Sequence, residues 1–182
     1  MKLRDITTKQ TFKDALKRSL VTKNLISLVP DKGLQKELSG LLGCELEKMA
    51  EYVVASILGF KVTDQDGSDF IKGSKKSECK FTVVNETIGK SSYTSKKTGV
   101  TKEYEYTRLA GSVTNLKTKN CDLHVLVCNP FDKNEYFALY SIPRNVWKQK
   151  WKGKSTTILI PRDGKEKKLW YLNYKVRTWK IT

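Results

Sequence analysis

Histidine is almost missing from this chain, with one residue, His124, among 182. The four cysteines (Cys44, Cys79, Cys121, Cys128) form no C-x-x-C pair, so a zinc site is poorly supplied with ligands. Their settings, "GCELEKM", "SECKF" and "CDLHVLVCN", read as helix or strand interiors, which makes buried free thiols the expectation rather than disulfides. No run approaches the roughly 18 apolar residues that a membrane-crossing helix needs. The opening "MKLRDITTKQTFKDALKRSL" lacks an apolar segment of signal-peptide type, and a soluble, intracellular (cytoplasmic) protein is expected. No internal repeat appears, and no motif of zinc-finger, homeodomain or RNA-recognition type.

Acid is scarce where base is plentiful. Lys and Arg number 35 against 19 Asp and Glu, a net charge of +16. From Arg144 to Thr182 there are twelve basic residues and two acids, Asp163 and Glu166. From Gly89 to Lys119 there are seven basic residues against Glu103 and Glu105. Such an excess points to a polyanion, and for a globular chain nucleic acid is the commoner partner. The 18 aromatics argue against a disordered basic tail. A length of 182 residues suits one domain with a proper core, here read as a core over about 39–140 and a basic, strand-rich part over 141–182.

Periodicity places the elements. The first 28 residues read as one or two short helices, with Thr11 as a cap, and "VPDKG" breaks the chain. A long helix is expected over 39–60, starting at Ser39 and stopping at Gly59. Leu42, Leu46, Met49, Ala50, Val53, Val54 and Ile57 form its apolar stripe, with Glu47 and Glu51 one turn apart beside it. Three short strands follow, "FKV", "SDFIKG" and "KSECKFTVV", joined by tight turns as an antiparallel meander. Residues 85–120 are polar and weakly periodic, and "KEYEYTRLAG" reads as strand or helix; a segment this long is more often functional than idle. "CDLHVLVCN" has the continuous apolar run of a strand buried on both faces, with His124 a core histidine. "EYFALYSIP", "STTILIP" and "LWYLNYKV" are further strands, and "RNVWKQKW" a helical turn or two. Core packing is the expected role of Trp147, Trp151, Trp170 and Trp179. The fold class is α/β (α+β), built round a mixed central β-sheet flanked by helices.

The acids that remain cluster in "DQDGSDFIKGSKKSECKF", Asp64 to Phe81. In a strand, "SECKF" puts Cys79 and Phe81 on a core face and projects Glu78 and Lys80 together from the other, about 6–7 Å apart at the backbone. A tight meander brings Asp69 beside Glu78. Two converging carboxylates repel unless one takes a proton or a cation lies between them, and hard oxygen ligands suit Mg2+. A lysine on the same face can orient a phosphate or a water.

With Asp69 in "SDF", Glu78 and Lys80 in "ECK", and the upstream helix "ELEKMAEYVVASILGFKV", the stretch resembles the PD-(D/E)XK phosphodiesterase superfamily. That is the fold of type II restriction endonucleases and archaeal Holliday-junction resolvases. The likeness covers roughly residues 39 to 84, and more loosely "CDLHVLVC". Ser68 stands where the motif's proline would be, which leaves Asp66 and Asp64 as competitors for Asp69. By spacing to Gly59–Phe60, Glu47 matches the family's helix acid, with Glu51 and Glu45 as alternates.

The resemblance implies a restriction-endonuclease-like core, with Asp69 and Glu78 as ligands of Mg2+ (or Mn2+ in its place). It implies Lys80 as the residue that orients or helps deprotonate the attacking water, and Glu47 as a supporting ligand. The implied activity is hydrolysis of DNA phosphodiester bonds, chiefly by charge neutralisation at the pentavalent phosphate. A sequence-specific type II enzyme acting on double-stranded DNA as a homodimer leads, ahead of a junction or repair nuclease and of a non-catalytic DNA-binding protein. DNA contacts are expected from Lys90, Lys96, Lys97, Lys102 and Arg108, chiefly on phosphates, with Arg108, Asn115 or Lys117 as candidates for reading bases.

Overall fold

A computed structural model describes residues 19–40, 46–63, 68–114, 116, 120–151, 156–160 and 169–181. Helix α1 (19–26), α2 (Lys32–Gly40) and α3 (Leu46–Leu58) lead into strands β1 (Lys61–Val62), β2 (Phe70–Lys72) and β3 (Lys75–Val83). Next come β4 (Asn85–Thr94), β5 (Thr101–Val113), β6 (Asp122–Cys128), β7 (Phe137–Ile142) and α4 (Arg144–Trp151). Strand β8 (Thr156–Ile160), a 3-10 turn (Trp170–Tyr174) and β9 (Lys175–Trp179) close the chain.

Six strands form the central sheet in the order β1-β2-β3-β6-β7-β9. Only β3 and β6 run parallel, so the sheet is mixed as expected. The β1-β2-β3 meander is antiparallel, in the register Phe70 opposite Ser77. Strand alternation sends two sets of side chains to opposite faces. Cys79, Leu126, Cys128, Phe137 and Leu139 face a core completed by α1, α2 and the Met49, Ala50, Val53, Val54 stripe of α3. Leu123, Val125, Val127, Ala138, Tyr140 and Ile142 face a second core with Trp147 of α4 and Leu109, Val113 and Ile158 of the second sheet. Helices thus flank both faces of the sheet.

The crossover between the parallel strands β3 and β6 is made by β4 and β5, which β8 joins from later in the chain to form a second sheet, β4-β5-β8. The polar stretch read as weakly periodic is in fact a long β4–β5 hairpin, paired from Asn85–Ala110 to Thr94–Thr101. Its root lies against β3: a Cβ on Gly111 would sit 2.6 Å from Thr82 Oγ1, so only glycine lets the two sheets approach this closely. Its outer half stands in solvent, where no core sets a hydrophobic alternation for a reader to find.

Two element boundaries depart from expectation. The helix expected to start at Ser39 is described as α3 from Leu46 to Leu58, residues 41–45 lying outside the described residues, and Ser39 itself falls inside α2. Ser39 caps nothing there; its hydroxyl bonds back to Gln35 O at 2.7 Å within α2. The expected stop does hold. Gly59 takes a φ of +68°, and the Phe60 N–H reaches Ala55 O at 2.9 Å, a Schellman closure. "LWYLNYKV" divides into the 3-10 turn and β9, with Trp170 edge-on to Trp151, Tyr171 and Tyr174. Trp147 is fully buried, its indole N–H donating to Cys121 O at 3.0 Å, whereas Trp151, Trp170 and Trp179 are half-buried. The Thr11 cap lies outside the described residues.

His124 is buried between Phe60 and Phe70, with ring centroids 5.3 and 6.0 Å away, and its Nδ1 meets Ser141 Oγ at 3.0 Å. Burial lowers its pKa from 6.5 to about 4, with the charge of Asp122 opposing. A base whose pKa falls on folding contributes stability that is full above pH 6.5 and is lost as pH drops toward 4, about 3 kcal/mol in all. The lone histidine resonance in a proton NMR titration should therefore keep its neutral shift through the ordinary histidine range. Denaturant unfolding should weaken over the same acid window, and titration near the ordinary value would contradict the burial argument.

Candidate active site

Strand β2 leaves β3 at Phe70, and that departure builds the site. The Asp69 N–H still donates to Ser77 O at 3.0 Å, and Asp69 O accepts from Thr63 N at 2.9 Å. One step further the Cys79 N–H has no strand partner on that side, and Asp69 Oδ2 accepts it at 2.8 Å. A side chain thus replaces the missing ladder carbonyl and holds the aspartate carboxylate against the edge of β3. The paired register ends at Phe70 with Ser77, and Asp69 lies just beyond it beside the strand that carries Glu78 and Lys80.

Glu78 and Lys80 share the other face of β3, and Lys80 Nζ lies 2.6 Å from Glu78 Oε1. The Glu78 side chain is 1% exposed and the Lys80 side chain 22%. Burial alone would pull Lys80 down, but its hydrogen bond to Glu78 and the charges of Glu78 and Asp69 prevail and raise its pKa. Lys80 is therefore an ammonium at neutral pH. It can donate hydrogen bonds and positive charge, but it cannot take a proton from water while so paired.

The helix contributes Glu51. Burial raises its pKa, its hydrogen bond to Lys48 lowers it, and the charge of Asp69 raises it further, with Lys80 opposing. Lys48 Nζ stands 2.9 Å from Glu51 Oε2. Electrostatically Glu51 belongs with Asp69 and Lys80. Glu47, the acid picked by spacing to Gly59–Phe60, is exposed in the first turn of α3. Spacing along a helix cannot say which of two acids one turn apart faces the sheet, and the packing of the stripe decides it. Cys79, at the centre of these charges, has its thiol pushed well above the usual range by burial and by Asp69 and Glu51, so it is inert.

The donor set is hard oxygen throughout. Mg2+ usually takes one or two carboxylates and fills its octahedron with waters and substrate phosphate, and Asp69 with Glu78 fits that pattern. Among the described residues no three His, Cys, Asp or Glu side chains form a ready-made metal cluster.

The predicted DNA contacts scatter over the hairpin. Lys96 and Lys97 occupy its exposed tip, and Lys102 is exposed on β5. Lys90 pairs with Glu105 at 3.2 Å. Arg108 is half-buried, its Nε donating to Thr87 Oγ1 at 3.3 Å. Asn115, Lys117, Glu45, Asp64 and Asp66 lie outside the described residues. Sequence reasoning passed over Tyr93, Tyr104 and Tyr106, all exposed on this hairpin. The signal was there in "KEYEYT", where acid and aromatic alternate as on the two faces of a strand.

No family model matches this chain, and no curated protein and no solved structure is significantly similar to it.

Removing one partner of a buried ion pair strands the other charge. Lys80→Met should lower the unfolding free energy by about 3 kcal/mol, and adding Glu78→Met should restore much of it. Glu51→Gln should leave stability at neutral pH unchanged or raised, because burial already disfavours the charged form. Urea unfolding of the four proteins checks both statements.

Proposed function

We propose that the chain is a Mg2+-dependent endonuclease that hydrolyses DNA phosphodiester bonds with a PD-(D/E)XK-type site. The observation that carries this reading is Asp69 held on the Cys79 N–H of β3 beside the Glu78–Lys80 pair of the same strand, with Lys80 under the charges of both acids and Glu51 of the preceding helix coupled to Asp69 and Lys80. The order helix, three-strand meander, then a parallel neighbour to the third strand supports it, as does the charge of +16.

In this reading Asp69 and Glu78 hold the cation, Mg2+ or Mn2+. A cation held there would offset the charge that develops on a phosphate under attack. Lys80, kept protonated, orients the attacking water through an N–H donor and adds positive charge at the phosphate. Glu51 takes the supporting role that spacing gives to Glu47. Asp69 is positioned by the Cys79 N–H, so its second oxygen is the one free to ligate. A sequence-specific restriction enzyme, dimeric so as to match a palindrome and cut both strands, is the leading form. A junction or repair nuclease is the second form, favoured by the exposed tyrosines of the hairpin, which suit unpaired bases better than a duplex.

Cleavage of plasmid DNA with Mg2+ and with EDTA tests the reading. Asp69→Asn and Glu78→Gln should each lower the rate by roughly a hundredfold or more while circular dichroism stays unchanged. Glu51→Gln should cost about tenfold and Glu47→Gln nothing. Because metal ligation needs carboxylates and Glu51 holds its proton to higher pH than usual, the rate should climb with pH above the ordinary carboxylate range. Discrete fragments would identify a restriction enzyme, and preferential cutting of branched substrates a junction nuclease. Metal-independent cleavage, or full activity in Glu78→Gln, would overturn the assignment.

A further inference from the structure

The β4–β5 hairpin has two chemically distinct faces. Its register pairs Lys90 with Glu105, Ser92 with Glu103 and Glu86 with Leu109, so all three hairpin acids lie on one face. The other face pairs Tyr93 with Lys102, Ser91 with Tyr104, Gly89 with Tyr106 and Thr87 with Arg108. It carries three tyrosines, a lysine and an arginine, and no acid. Tyr93, Tyr104 and Tyr106 are 62%, 52% and 42% exposed. A strand face with no core to join has no need of three aromatics.

The rings are also held in place. A Cβ on Gly89 would fall 2.6 Å from Tyr106 Cζ, so that ring lies flat across the glycine backbone and Gly89 is buried beneath it. Tyr104 follows with its centroid 6.2 Å from that of Tyr106. We infer that this face is a stacking platform for unpaired nucleotides, with bases laid on Tyr104, Tyr106 and Tyr93 and the phosphates drawn by Lys102 and Arg108. An exposed tyrosine meets a base best through its π-face, and in a duplex both faces of every base are covered by neighbours. The spacing argues the same way. At 6.2 Å the rings stand nearly twice as far apart as the roughly 3.4 Å rise per nucleotide of a stacked strand. Two bases resting on both rings are therefore unstacked from one another. The absence of acid on this face, with every hairpin acid opposite, gives the charge complementarity that a phosphate backbone requires.

This inference rests on nucleic acid as the partner and not on cleavage. Its test is accordingly run on the full chain in EDTA, by fluorescence anisotropy with labelled oligothymidylate and with a duplex of equal length. Tyr104→Ala and Tyr106→Ala should each weaken single-strand binding roughly 5- to 150-fold, the span of one stacked base. Tyr104→Phe and Tyr106→Phe should keep it, and Ile88→Ser on the opposite face should leave it unchanged. Duplex affinity should move little in every case. Equal losses on duplex and single strand would overturn the inference, as would unchanged single-strand affinity in the alanine variants. Self-association lost in Tyr104→Ala without any single-strand binding would make the face a contact between two copies, and overturn it too. A nuclease inactive on every substrate would leave these binding results standing, so the two readings fail separately.

Discussion

Glu78 carries a charge into a place almost without water, and much of the molecule is arranged around that fact. At 1% exposure the carboxylate depends on Lys80 at 2.6 Å for compensation. That pairing requires both residues on one face of β3, which in turn requires the strand to keep its parallel register with β6 from Ser77–Asp122 to Val83–Cys128. A slip of one residue would send both charges into the aliphatic core on the α3 side and bring Cys79 out. The hydrophobic pattern and the ion pair thus specify the same register, and each makes the other's failure costly.

Around this pair the chain ends its meander abruptly. β2 holds only three residues, and just before it the carboxylate of Asp69 accepts the Cys79 N–H where a ladder carbonyl would otherwise lie. The strand's early end and the site's geometry are one feature: a longer β2 would satisfy the Cys79 N–H with a carbonyl and release Asp69 to solvent. Glu51 then adds negative charge from the helix side, at a cost in burial that core packing does not explain. A half-buried carboxylate with a raised pKa, set close to Asp69 and Lys80, is a feature that functional sites often share.

The second sheet shows how one hairpin serves two ends. At its root, Leu109 and Val113 join the core and Gly111 admits Thr82. Beyond the body the same ladder continues with no core to bury, and its two faces separate by charge instead. Cross-strand pairing holds Lys90 against Glu105 on one side and leaves tyrosines with cations on the other. The polar composition of 85–107 is therefore that of a solvated ribbon.

Much of this was legible in the residues. The stripe of α3, the glycine stop at Gly59, the three-strand meander, the buried run of β6 and the partnership of Glu78 with Lys80 all follow from short-range periodicity, which depends only on neighbours along the chain. What sequence could not decide involves distant partners. Glu47 and Glu51 are equivalent on a helical wheel until α3 docks, and docking turns Glu51 toward Asp69 and Lys80. "KEYEYTRLAG" is strand only because β4 pairs with it, and its tyrosines share a face with Lys102 and Arg108 only through that register. Local order was written in the spacing of side chains, while the choice of face and partner awaited packing, because a face has meaning only once something covers it or leaves it bare.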